Sequence, residues 1–132
     1  IINNFFAVLL MSNLSLEDLV DNYIETVLEA VQVKNLFDLD AFYEYVFTKV
    51  SERTGFSAEE IKSLHHPFHW ILFQGKNPPL ELVPPRKMGN DYGIRVGQKD
   101  SPLEKSKLVA DILNKYGVYL QKRLDMIPEH NS

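Results

Sequence analysis

The sequence predicts a mainly α protein, a compact bundle of four to five helices with a short β-hairpin or ordered loop at about 76–99. Three observations carry this prediction. A serine followed three residues later by an acid opens three separate segments. Behind those openings apolar residues recur at intervals of three and four, and proline and glycine crowd into one later stretch. The 132 residues fit a single domain, 1–132, long enough to bury about two thirds of the unfolded surface.

Ser15-Leu16-Glu17-Asp18 opens the first helix. The hydroxyl accepts from an otherwise unpaired amide of the first turn, and the acids favour the positive end of the helix dipole. Leu16, Leu19, Val20, Tyr23, Val27, Leu28 and Val31 then form an amphipathic stripe. A second helix is predicted from about Leu39 to Thr54, with Leu39, Phe42, Val46, Phe47 and Val50 facing inward. Asp38 or Asp40 caps it, and Gly55 supplies a left-handed stop. Ser57-Ala58-Glu59-Glu60 opens the third, which carries Ile61 and Leu64. Proline disfavours helical geometry in the residue before it, so Pro67 predicts a kink or restart at His66. The run Phe68-His69-Trp70-Ile71-Leu72-Phe73 is apolar nearly all round, which predicts burial, and Gly75 closes it.

Residues 75–100 hold four of the seven prolines and four of the six glycines. Leu80-Glu81-Leu82-Val83 and Tyr92-Gly93-Ile94-Arg95-Val96 alternate like short strands, with Pro84, Pro85, Gly89 and Asn90 supplying turn chemistry between them. A hairpin or long ordered loop projecting from the helices is predicted. Ser101-Pro102-Leu103-Glu104 opens the last helix, with proline at the first position, where no amide hydrogen is needed. Leu108, Val109, Ile112, Leu113, Tyr116, Tyr119, Leu120 and Leu124 give its apolar face to about Ile127. Gly117 weakens it by about 1 kcal/mol relative to alanine. Pro128 ends it.

Hydrophobic residues are 45% of the chain and charged residues 24%, an ordinary globular balance. With no cysteine, disulfides, thiolate zinc sites and cysteine nucleophiles are excluded, and the composition fits a reducing, cytoplasmic setting. Net charge is −4 but unevenly spread. Residues 1–60 hold 11 acids against 3 bases, a net of −8, and residues 61–132 hold 11 bases against 7 acids, a net of +4. That asymmetry has two readings, an oriented electrostatic surface or an acidic half that keeps the protein in solution.

The chain opens on Ile1 and runs into the apolar patch from Phe5 to Met11, far short of the roughly 20 residues a membrane span needs. The patch lacks the basic flank and small-residue cleavage site of a secretory signal, and no membrane partner is predicted. Three origins fit it: a fragment of a longer chain, initiation at an unusual codon, or a domain whose true start is Met11.

No enzyme is predicted. His65 and His69 have the four-residue spacing of two imidazoles on one helical face, but Pro67 interrupts the helix between them. The glutamate of the H-E-x-x-H pattern is replaced by His66, so partly buried, hydrogen-bonded histidines are favoured over a metal site. Asp38 and Asp40 lack the later ligands of a calcium loop and read as a helix start, as do Glu59 and Glu60. Gly89, Gly93 and Gly97 have no strand-to-helix context and no following Lys-Ser/Thr, unlike a phosphate-binding loop. No cofactor is implied.

The remaining signal is basic. Lys76, Arg86, Lys87, Arg95 and Lys99 are opposed only by Glu81 and Asp91 between 76 and 99, and Tyr92 sits among them. Cations interleaved with an aromatic ring can follow a phosphate backbone and stack on a base. Lys107, Lys115 and Lys122 fall near one face of the last helix, with Asp111 on the same face. These nine residues, Lys76, Arg86, Lys87, Tyr92, Arg95, Lys99, Lys107, Lys115 and Lys122, are the candidate nucleic-acid contacts.

Size, helical pattern, missing catalytic motifs, the start at Ile1 and the end at Lys122-Arg123-Leu124 with a short polar tail together resemble the small subunit of type I CRISPR-associated effector complexes. Some of these subunits are internally initiated C-terminal domains of the large subunit. The resemblance implies a non-catalytic scaffold in antiviral defense, present in several copies beside other subunits, contacting guide–target duplex or displaced strand. Such subunits often carry a plainly basic face, whereas this chain is net acidic. A protein-only interaction module, an adaptor or small inhibitor using the Phe5–Met11 patch or the 68–73 run, is the alternative.

Overall fold

A computed structural model describes residues 15–76, 78–84, 92–96 and 103–127. The Phe5–Met11 patch, Arg86, Lys87, Lys99, the Ser101-Pro102 step and Pro128 lie outside the described residues. Among those described, 71% are helical, and the architecture is the expected helical bundle with a two-stranded hairpin. In chain order the elements are α1 (Leu16–Gln32), α2 (Leu39–Thr54), α3 (Ala58–Ser63), α4 (His65–His69), a π-helical turn (Trp70–Gln74), β1 (Leu80–Val83), β2 (Gly93–Val96) and α5 (Lys105–Asp125).

The local chemistry sets the helix ends. Ser15 Oγ accepts from the Asp18 amide at 3.1 Å and Asp38, not Asp40, caps α2 by accepting from the Ala41 amide at 3.1 Å. Gly55 stops α2 in the left-handed region at φ 85°, a conformation that costs glycine no side-chain clash. At α3, Ser57 Oγ accepts from the Glu60 amide while the Glu60 carboxylate accepts from the Ser57 amide, a reciprocal capping box.

α1 is the central helix. Its stripe from Leu19 to Val31 is buried, with Leu16 and Leu28 at the margin, and α2 and α5 pack on either side of it. Phe42, Val46, Phe47 and Val50 of α2 and Leu108, Ile112, Leu120 and Leu124 of α5 complete the core. Arg53 ties α2 to α1 through the Glu29 carboxylate at 3.0 Å and the buried Thr26 hydroxyl at 2.9 Å, and Tyr45 donates to the same carboxylate. The Tyr45 bond, with Arg53 adding to it, holds the Glu29 carboxyl below its usual pKa.

Four sequence expectations change here. The helix breaks at Leu64, not at His66, so that Pro67 falls in the first turn of α4. In a first turn the missing amide has no helical partner to lose, which makes that the low-cost position for proline. Second, Trp70 is 49% exposed although its run was expected to be buried, and Tyr119, expected in the core, is 45% exposed. Third, the strands lie against the bundle. Leu80 and Ile94 are buried, and the far edge of β2 is held to the α1–α2 connection by Leu39 N–H to Tyr92 C=O at 2.8 Å and Ile94 N–H to Phe37 C=O at 2.7 Å. Fourth, the last helix begins at Lys105, with Leu103 and Glu104 outside it, so the described start is one turn later than Pro102.

Candidate functional site

Among the described residues, the sequence-predicted cations differ in whether an acid pairs with them. Arg95 on β2 is the direct cross-strand partner of Glu81 and bonds its carboxylate at 2.9 Å, which raises the arginine pKa and leaves the pair neutral. Lys105, part of the positive half, is held by two acids of the negative half, Asp21 at 3.1 Å and Glu25 at 3.5 Å. Lys76 is exposed beyond the π turn, and Tyr92 is exposed at the start of β2. Lys107, Lys115 and Lys122 are exposed on α5 and form no ion pair among the described residues. Of the nine candidates, then, these three are brought onto one helix face as free cations. Arg86, Lys87 and Lys99 lie outside the described residues.

Beside that face runs a groove that sequence reasoning missed. His66, Pro67, Trp70, Tyr116 and Tyr119 line a concavity of about 260 Å³ between the α4–π segment and α5. No carboxylate among the described residues lines it. The π turn makes one wall: the Gly75 amide bonds the Trp70 carbonyl at 2.6 Å, five residues back, and Trp70 stands half exposed. Such turns inside helical runs recur at functional sites. Gly75 also eases the π-type bond, since a Cβ there would stand 3.2 Å from the Trp70 carbonyl oxygen.

The other wall is α5. Lys115, Tyr119 and Arg123 succeed one another at four-residue steps, with Lys122 three beyond Tyr119, so all four side chains share one side of the helix. The Arg123 guanidinium stands 5.9 Å from the Tyr119 ring centre, within cation–π range, and reaches the Ser63 carbonyl at 3.4 Å. The signal available in sequence was the lone tryptophan of the chain four residues after His66, facing a Tyr116–Tyr119 pair flanked by cations. The apolar run from Phe68 to Phe73 put Trp70 in the expected core, and the helical period put Tyr116 and Tyr119 there.

His66 lines this groove, whereas His65 and His69 pack against Tyr43 of α2. His65 Nδ1 donates to the Lys62 carbonyl at 2.7 Å, because a carbonyl only accepts, and the His65 and His66 rings stack at 4.8 Å. His69 Nδ1 meets the Tyr43 hydroxyl at 2.6 Å. Burial, reinforced by His65 and His66, holds the His69 pKa below its usual value, while burial pushes the Tyr43 phenol up. Among the described residues no three His, Asp or Glu side chains are grouped to hold a metal. No helix among them is long and apolar enough to cross a membrane. Comparison with protein-family models, curated proteins and solved structures gives no match.

Proposed function

We propose that this domain is a non-catalytic, cytoplasmic subunit of a nucleoprotein assembly, in which the exposed face of α5 contacts the phosphates of nucleic acid. The observation that supports it is the contrast among the cations: Arg95 and Lys105 are neutralised by Glu81, Asp21 and Glu25, whereas Lys107, Lys115 and Lys122 are free on one face. Free lysines on a rigid helix release counterions when they meet a polyanion, which is the main source of sequence-independent affinity. The resemblance to small subunits of CRISPR-associated effector complexes supports the same role, with partners that include other subunits and further copies of the chain. Filter retention of labelled RNA, single-stranded DNA and duplex across a salt series tests it, on the free domain and on any assembly that copurifies. Affinity that falls with salt is expected. Absence of salt-dependent binding in both forms removes the proposal.

A protein-only module is the second reading, supported by Val118 on α5 and Met126 just past its end, which are strongly exposed. An apolar partner interface there tolerates Lys107→Glu with Lys115→Glu, whereas nucleic-acid binding does not.

A further inference from the structure

We infer that the Trp70–Tyr119 groove is a nucleobase site, taking an unpaired base of a single strand whose flanking phosphates lie on Lys115, Lys122 and Arg123. The inference rests on the nucleic-acid reading above and names the form of nucleic acid and the residues that grip it.

Three features of the groove carry the inference. Its walls offer aromatic faces, the indole of Trp70 and the phenol of Tyr119, each about half exposed and each available for stacking. A base has a π-face whatever its identity, so two such rings grip a strand without reading its sequence. The space of about 260 Å³ suits one base, whereas a duplex hides its base faces inside the stack. The charge is complementary as well. No carboxylate among the described residues lines the groove, and Lys115, Lys122 and Arg123 follow its α5 wall at helical spacing. Arg123 covers part of the Tyr119 ring and is anchored on Ser63, so the cation and the ring present one preformed unit.

Trp70 is the only tryptophan of the chain, so its fluorescence reports on this groove directly. The test titrates the full chain at low salt with oligothymidylate of about 12 nucleotides, with an abasic strand of the same length and charge, and with a duplex. Quenching of Trp70 by oligothymidylate but not by the abasic strand or the duplex is expected. Tyr119→Ala should weaken oligothymidylate binding between about 5-fold and 100-fold and leave abasic binding unchanged. Equal binding of the base-bearing and abasic strands, with Trp70 unquenched, overturns the base site and leaves phosphate contact by α5 standing. No response to any of the three overturns both and favours a protein partner. Circular dichroism of the Tyr119→Ala chain separates lost stacking from lost fold.

Discussion

The phenolic oxygen of Tyr43 and Nδ1 of His69 stand 2.6 Å apart, joining the middle of α2 to the last residue of α4. The Tyr43 ring also stacks on Phe47 at 5.1 Å and meets the His65 edge at 5.6 Å, so the segment that carries Trp70 is fixed to the core from behind. The groove is therefore held by the same contacts that hold the fold.

Burial of the His69 ring, with His65 and His66 beside it, makes the fold sensitive to pH. A histidine whose pKa is depressed in the folded state favours folding while neutral and opposes it once protonated. Its contribution is full above the unfolded value of about 6.5 and is lost as pH falls through that value toward the lower folded one. Thermal denaturation should show Tm falling between about pH 7.5 and 5, with a smaller fall in His69→Gln. Parallel pH profiles for the two chains would show that another group is responsible.

Tyr23 stacks on Phe68 at 3.9 Å and is buried, yet its hydroxyl has no hydrogen-bond partner among the described residues. A buried donor without an acceptor carries a desolvation cost that phenylalanine lacks. Tyr23→Phe is expected to raise the unfolding free energy by about 1 kcal/mol in urea titration. A loss of that size would reveal a partner for the hydroxyl.

The capping box at Ser57 fixes the start of α3 and hence the entry to the groove-bearing segment. Ser57→Ala should cost about 1 kcal/mol and Ser57→Gly only a few tenths, because glycine leaves the amides open to water. Equal costs for the two, read by the same titration, contradict a capping role.

Much of this arrangement was legible from residue order. Ser15, Asp38, Ser57 and Gly55 mark helix ends by chemistry that acts within three or four residues, and α2 runs from Leu39 to Thr54 as its pattern predicts. The strands at Leu80–Val83 and Gly93–Val96 follow from alternation and bracketing turn residues. What escaped was phase and pairing. The run from Phe68 to Phe73 reads as apolar nearly all round, yet Phe68, Ile71 and Leu72, three and four apart, take the buried face and leave Trp70 half exposed. Pro67 gave the break but not its place, because proline is tolerated anywhere in a first helical turn and so does not fix the position of the break. The pairing of Lys105 with Asp21 and Glu25 spans more than 75 residues of sequence, beyond any local pattern, and it takes one cation out of the apparent basic half.

The exposed face of α5 is best tested by the salt dependence of single-strand binding. Each phosphate contact adds about −0.7 to the slope of log K against log salt, so replacing Lys107, Lys115 and Lys122 by alanine should make the slope shallower by about 2. Neutralising the Glu81–Arg95 pair by Glu81→Gln with Arg95→Gln should leave it unchanged. A triple alanine variant that keeps the native slope would contradict the account, since the cations it treats as free would then play no part in binding.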